Sequence, residues 1–127
     1  MLKILRNVIK IDSTYAKAHN NLAVAYYYED KIDSAFFFLN KALSLQKDYP
    51  EAVNNLGYLF KTAEKYDQAI KLFLKALALK PKYISAFNNL GETYFLSGDH
   101  ANAKRVFETV SALDPGNETA KMWLQKI

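Results

Sequence analysis

The sequence contains no cysteine among its 127 residues, which excludes disulfide bonds, thiol catalysis and thiolate-bound metal sites. Glycine and proline are scarce, with four and three residues, and this is too few for a fibrous or disordered chain. No apolar stretch approaches the length of a membrane span. The first ten residues lack the apolar core of a secretory signal, because Lys3 and Arg6 interrupt them. We therefore expect a soluble, cytoplasmic protein that does not contact a membrane.

Residues that could perform chemistry are also sparse. The net charge is +4, but the basic residues are spread along the chain, which indicates a solvated surface rather than a nucleic-acid interface. A structural role explains the positions of both histidines, His19 and His100. The sequence has no glycine-rich phosphate loop, no His/carboxylate cluster and no serine nucleophile motif. We predict that the chain is not an enzyme and that it binds no cofactor, metal or nucleic acid.

The dominant feature that is present is an internal repeat. The triplet Asn20-Asn21-Leu22 returns twice at steps of 34 residues. The later copies are Asn54-Asn55-Leu56 and Asn88-Asn89-Leu90. Alanines keep the same step at Ala35, Ala69 and Ala103. A fixed period of this size indicates an array in which each unit packs only on its neighbours.

Each unit carries a wider pattern of small and aromatic residues. The second unit has Leu56-Gly57-x-x-Phe60, then Ala69-x-x-x-Phe73, then Pro81. The third has Leu90-Gly91-x-x-Tyr94, Ala103-x-x-x-Phe107 and Pro115, and the first has the looser Leu22-Ala23-x-x-Tyr26, Ala35-x-x-x-Leu39 and Lys47. This pattern resembles the tetratricopeptide repeat. The resemblance implies an all-α, right-handed superhelix (an α-solenoid) of antiparallel helix pairs, for which we expect about seven helices and no strand.

The repeat register predicts how the chain is divided. We expect a single array over residues 1–127, with an N-terminal half-repeat helix at 1–15, repeats at 16–49, 50–83 and 84–117, and a C-terminal capping helix at 118–127. Gln125 occupies the slot of Gly57 and Gly91. Because that slot needs a small residue wherever a second helix presses on it, the last helix is expected to have no such partner.

Several local expectations follow from residue type. Three consecutive aromatic residues cannot all face one core, since each helical step turns about 100°; we expect Phe36 and Phe38 to pack and Phe37 to point outward. Asp30 is expected in a turn, because Asp tolerates the left-handed backbone better than most residues. Pro50 suits a first helical position, and Asp99 suits a helix N-cap.

The resemblance also implies a binding surface, because the first helices of the family line the inner, concave face. The first helices have asparagines at their fifth place (Asn20, Asn54, Asn88) and at their sixth place (Asn21, Asn55, Asn89). The sixth-place asparagines resemble the ladder in the superhelix of O-linked N-acetylglucosamine transferase, which holds a peptide backbone. A carboxamide both donates and accepts hydrogen bonds. The predicted groove residues are Asn20, Asn21, Asn54, Asn55, Asn88, Asn89, Tyr27, Tyr58, Lys61, Glu92 and Phe95. The alternative is that the asparagines are structural and satisfy polar groups between layers.

This surface departs from the chaperone-binding subgroup of the family, which clamps a terminal carboxylate with Lys, Asn and Arg. Only Lys17 and Lys61 are basic here. The predicted function is a protein–protein interaction scaffold that binds an extended peptide or partner protein in the concave groove. One alternative is a self-assembling scaffold, with a homodimer formed through the N-terminal helix and its residues Leu2, Ile4, Leu5, Val8, Ile9 and Ile11. Another is a substrate-docking portion of a larger enzyme.

Overall fold

The computed structural model describes residues 2–11 and 15–127, with the backbone alone for 7–11. These residues form eight helices and no strand. The helices are α1 (Leu2–Ile11), α2 (Ala16–Tyr28), α3 (Ile32–Leu45), α4 (Pro50–Thr62), α5 (Tyr66–Leu79), α6 (Ile84–Leu96), α7 (His100–Leu113) and α8 (Glu118–Lys126). The predicted all-α class is confirmed. The number is eight rather than about seven, because three helix pairs and one helix at each end add up to eight.

The helices pack in chain order and build a solenoid. The closest partners are α2 with α3, α4 with α5, and α6 with α7, and each pair also contacts the next. Helix α1 packs on α2 and α8 packs on α7, while α4 touches α6. The first helices of successive pairs are therefore neighbours on one face. Within the described residues, no helix has the length and apolarity that a membrane crossing requires.

Small residues let the two helices of a pair approach closely. A Cβ atom on Gly57 would lie 2.7 Å from the Phe73 ring, and one on Gly91 would lie 2.6 Å from the Phe107 ring. Both phenylalanines are fully buried. The first pair has Ala23 at the equivalent place, packed in one cluster with Leu39. The extra methyl group is accommodated there because leucine is smaller than phenylalanine.

The turns within the pairs use left-handed backbone, as expected for Asp30. Asp30 and Glu64 both have φ of 61°, and Gly98 has φ of 91°. Helix α4 begins at Pro50, as predicted. The predicted cap at Asp99 is also confirmed, because its carboxylate accepts a hydrogen bond from the Asn102 backbone N–H at 3.2 Å.

The aromatic run on α3 divides as predicted. Phe37 is 64 % exposed. Phe36 meets the Phe60 ring edge-on with centroids 5.3 Å apart, and Phe38 stacks on Tyr26 at 5.4 Å. The two flanking rings therefore tie α3 to α4 and to α2.

The two ends of the array are covered differently. At the C-terminal end, Trp123 of α8 stacks on Phe107 with centroids 5.6 Å apart and an interplanar angle of 4°. At the N-terminal end, the Arg6 guanidinium donates to the Tyr26 hydroxyl at 2.8 Å, while Ile4 is 68 % exposed. The side chains of Val8, Ile9 and Ile11, which belong to the predicted association surface, lie outside the described residues.

Candidate functional site

The face formed by α2, α4 and α6 contains a groove with a distinct cavity. We call the space between α2 and α4 the first layer and the space between α4 and α6 the second layer. The cavity has a volume of about 370 Å³. Its lining residues are Ala23, Val24, Tyr27, Tyr28, Ala35, Leu39, Asn54, Asn55, Tyr58, Leu59, Ser85 and Asn89. Aliphatic side chains, tyrosine rings and carboxamides thus meet in one concave place, the usual composition of a ligand site.

The predicted asparagines form a hydrogen-bonded ladder that crosses from helix to helix. Asn55 Nδ2 donates to Asn20 Oδ1 at 3.0 Å. Asn89 Nδ2 donates to Asn54 Oδ1 at 3.1 Å. In both layers, the sixth-place asparagine of one helix therefore binds the fifth-place asparagine of the preceding first helix.

Two of the fifth-place asparagines, Asn20 and Asn54, also donate hydrogen bonds outside the ladder. Asn20 Nδ2 donates to the Tyr49 hydroxyl at 3.4 Å, and Asn54 Nδ2 donates to the Tyr83 hydroxyl at 3.4 Å. Asn54 Nδ2 also donates to Ser85 Oγ at 3.2 Å. Asn20 and Asn54 are only 5 % and 4 % exposed. These two residues therefore connect helices, as the structural alternative requires.

The sixth-place asparagines are the more accessible set. Asn21, Asn55 and Asn89 are all half-buried, and Asn55 and Asn89 line the cavity. One carboxamide N–H of each of the latter two is used by the ladder, which leaves the second N–H and the carbonyl oxygen. Peptide binding by any of the six asparagines stays a prediction.

The ladder ends on α6. The Asn88 Oδ1 atom is buried, and no hydrogen-bond donor reaches it from the residues that the structure describes. One repeat step beyond Asn89, the position of the next ladder donor is occupied by Trp123. The indole ring is used in stacking on Phe107 instead.

A second row of contacts crosses the groove beside the ladder, and its chemistry changes between layers. In the first layer, the hydroxyl groups of Tyr27 and Tyr58 share a hydrogen bond with their oxygen atoms 3.2 Å apart, and the rings lie edge to face at 5.4 Å. The pKa of Tyr58 is raised to about 12, mainly by this hydrogen bond and to a smaller extent by burial of the hydroxyl group. Tyr58 is therefore neutral at physiological pH.

The equivalent contact in the second layer is an ion pair. Lys61 Nζ lies 3.1 Å from Glu92 Oε2 and 4.6 Å from the centroid of the Tyr58 ring. The Lys61 side chain is 8 % exposed and that of Glu92 is 36 % exposed. We call Tyr27–Tyr58 and Lys61–Glu92 the cross-helix pairs.

Phe95, the last predicted groove residue, contacts the C-terminal end of the array. Its ring stacks on His100 at 4.6 Å and meets Trp123 edge-on at 5.0 Å. The structure thus brings four predicted residues together as the two cross-helix pairs and places Phe95 with the cap.

Sequence reasoning placed Ser85 on the inner surface but missed the two tyrosines that hold the ladder, Tyr49 and Tyr83. A signal for the tyrosines was present, because Tyr15, Tyr49 and Tyr83 follow the repeat step and stand just before a first helix. Among the residues that the structure describes, there is no group of three or more His, Cys, Asp or Glu side chains that could hold a metal ion.

An array of helix pairs with a groove along its first helices defines a helical-repeat solenoid. Comparison with family models identifies the repeat family. A model described as "Tetratricopeptide repeat" matches residues 16–49 and 84–117, and one described as "TPR repeat" matches 62–98. The chain belongs to the tetratricopeptide repeat family. Comparison with curated protein sequences found no match.

Solved structures of similar shape include proteins with bound peptides. The first TPR of Spaghetti (RPAP3), bound to the HSP90 peptide SRMEEVD, is 25% identical with a TM-score of 0.84, covering 91% of each chain. The second TPR domain of human RPAP3, in complex with the HSP70 peptide SGPTIEEVD, is 26% identical with a TM-score of 0.80, covering 87% of this chain and 92% of that one.

A further similar structure belongs to a longer protein. Pseudomonas aeruginosa PilF is 27% identical with a TM-score of 0.89. The match covers 96% of this chain and 56% of PilF, so this chain spans about half of that protein.

Proposed function

We propose that this chain is a protein–protein interaction scaffold that binds an extended peptide in its concave groove. The observation that carries the proposal is the cavity of about 370 Å³, in which Asn55 and Asn89 stand beside an apolar floor. The similar RPAP3 domains bind HSP90 and HSP70 peptides, which supports a peptide as the ligand.

The ladder suits a peptide backbone for geometric reasons. Packed helices lie about 8–10 Å apart, and an extended chain advances about 3.3–3.6 Å per residue. One asparagine per layer would therefore meet roughly every third peptide residue. Since a carboxamide can pair with both backbone N–H and C=O groups, this contact would not depend on the peptide's side chains.

The test is to replace Asn21, Asn55 and Asn89 together with alanine and to measure binding of peptides from a panel by fluorescence anisotropy. We expect weaker binding, by about 0.5–1.5 kcal/mol for each lost hydrogen bond, with the helical circular dichroism spectrum retained. Asn40→Ala is the matched control, because Asn40 is exposed on α3. Unchanged affinity in the triple variant would return these asparagines to a purely structural role.

The proposal includes binding without catalysis, in the cytoplasm, with no membrane or nucleic-acid contact. Docking of substrates to a larger enzyme is the alternative that uses the same groove. Binding of the same peptides by the isolated chain is expected in both cases, and a catalytic partner domain would distinguish them.

A second candidate function is self-association through α1. It is favoured by the exposure of Ile4, 68 %, on a helix that packs on α2. A second copy would cover this residue in a two-fold dimer. Sedimentation at several concentrations tests the idea, with Ile4→Lys expected to give a monomer and Lys3→Ala, on the same helix, as control. A strict monomer at high concentration would remove this candidate.

A further inference from the structure

The cross-helix pairs differ in which charges they present to a ligand. The first layer offers the Tyr27 and Tyr58 rings and the apolar part of the cavity, which includes Val24, Leu39 and Leu59. The cavity extends to Ser85 and Asn89 of α6 but does not include Glu92. The second layer offers an ion pair in which the cation is covered and the anion is not, since Lys61 is 8 % exposed and Glu92 is 36 % exposed. A ligand that lies along the groove therefore meets an apolar cavity first and an accessible carboxylate next.

From this arrangement we infer the class of peptide that the groove takes: one with an apolar side chain and a basic side chain roughly three residues apart. The inference rests on the proposed function. The apolar side chain enters the cavity that Tyr27 and Tyr58 both line. The basic side chain reaches the Glu92 carboxylate, which can accept a further charge-assisted hydrogen bond beside the one from Lys61.

An acidic side chain at the same place is disfavoured by both members of the pair. If it lies beside Glu92, two carboxylates repel each other. If it displaces Glu92 and takes Lys61, it leaves the Glu92 carboxylate without its partner. Lys61 is also screened from the groove, because it lies on the Tyr58 ring at 4.6 Å. The basic residue of this layer is therefore a poor anchor for an acidic peptide such as SRMEEVD.

A basic residue at the C-terminal end of the array does not change this assignment. Lys126 of α8 lies 5.0 Å from the centroid of the Trp123 ring. It belongs to the C-terminal end, beyond Phe95, and not to the layer that contains Glu92. At the Lys61–Glu92 pair, the more accessible carboxylate thus favours a neutral-to-basic ligand.

The experiment compares short labelled peptides of equal length by fluorescence anisotropy. The series contains Leu-x-x-Arg, Arg-x-x-Leu, the closer spacing Leu-x-Arg, the neutral Leu-x-x-Gln and the acidic Leu-x-x-Glu, together with SRMEEVD. We expect one of the first two peptides to bind about threefold to tenfold more tightly than the neutral peptide, and the acidic peptide more weakly than the neutral one. Using both orders of the motif leaves the direction of the bound chain open.

Two variants connect this preference to Glu92. Glu92→Gln is expected to abolish the advantage of the basic peptide over the neutral one, whereas Glu108→Gln, on the exposed surface of α7, should leave that advantage unchanged. The exchange Lys61→Glu with Glu92→Lys keeps a pair and is expected to reverse the preference. Melting temperatures of all variants establish that they are folded.

The outcomes separate this inference from the function on which it rests. If no peptide of the series binds, the proposed peptide-binding function is overturned and the inference with it. If peptides bind with equal affinity, or if the acidic peptides bind best, the inference alone is overturned. A preference that persists in Glu92→Gln also overturns it, because the selecting group is then another residue.

Discussion

The first and second layers of the groove share one frame and differ in the contact that crosses it. Both layers have a ladder bond, at 3.0 Å between Asn55 and Asn20 and at 3.1 Å between Asn89 and Asn54. Beside this common bond, the first layer has the Tyr27–Tyr58 pair and the second has Lys61–Glu92. The comparison teaches that a helical repeat can keep its interhelical hydrogen bond while the adjacent pair changes from neutral to ionic.

Truncation of Leu56 is the change that we expect to destabilise both layers most. This residue of α4 is 7 % exposed and packs in the core cluster with Leu39 and Leu59. We expect Leu56→Ala to lower the free energy of unfolding by about 2–5 kcal/mol, as other large buried truncations do. Urea denaturation measures the change, and Leu74→Ala, on a side chain that is 48 % exposed, should cost less than about 0.5 kcal/mol. Equal effects would mean that the assignment of buried positions is wrong.

The approach of α4 to α5 is tested at Gly57. A Cβ atom there would lie 2.7 Å from the Phe73 ring, so we expect Gly57→Ala to destabilise by about 1–3 kcal/mol through overpacking. Adding Phe73→Leu reproduces the Ala23 and Leu39 combination of the first pair. The double variant should recover part of the loss. If Gly57→Ala alone is neutral or stabilising in thermal denaturation, the ring moves aside at little cost.

The difference between the layers is tested by making the second resemble the first. Glu92→Ala leaves the Lys61 ammonium, which is 8 % exposed, without its partner; we expect a loss of about 1–2 kcal/mol, since the partner is partly exposed. The double change Lys61→Tyr with Glu92→Tyr removes the charge as well as its partner. We expect it to be close to the unaltered protein in stability, and a larger loss than for Glu92→Ala would show that the second layer cannot hold a tyrosine pair.

Removal of each ladder donor in turn tests whether the two layers are equally stabilised by the ladder. Asn55→Ala and Asn89→Ala should each cost about 0.5–1.5 kcal/mol. Because the two ladder bonds have nearly the same length, the two losses should agree within about 0.5 kcal/mol. Chemical denaturation gives both values, and losses that differ by more than this would mean that the surroundings of the ladder matter more than its bonds.

The effect that appears only at high pH concerns the first layer and the pKa of Tyr58. The pKa of Tyr58 is raised to about 12 from about 10 in the unfolded chain. The folded state therefore holds the proton more tightly, so its stabilisation is complete below pH about 10 and is lost as the pH rises toward about 12. Ultraviolet absorbance of tyrosinate should show a late-titrating tyrosine that disappears in Tyr58→Phe. An unchanged titration would contradict the role of the Tyr27 hydrogen bond.

The sequence predicts the fold well because its repeat step directly reports a packing unit. The outward position of Phe37, the cap at Asp99 and the turn at Asp30 follow from local chemistry alone. The partners within the groove could not be predicted in the same way. Asn55 meets Asn20, and Lys61 meets Glu92, across helices whose relative rotation is set by packing at positions such as Gly57. The periodic pattern places these residues on one face but does not say which atoms meet.

The stacking of Trp123 on Phe107 has a consequence for how unfolding can be observed. Trp123 is the only tryptophan of the chain, so its fluorescence reports on the C-terminal helix, whereas far-ultraviolet dichroism averages over all helices. In a solenoid each unit is stabilised mainly by its neighbours, and unfolding can begin at an end. If α8 frays first, the tryptophan signal should change at a lower urea concentration than the dichroism. The protein thus carries a built-in probe that distinguishes fraying of this end from cooperative loss of the whole array.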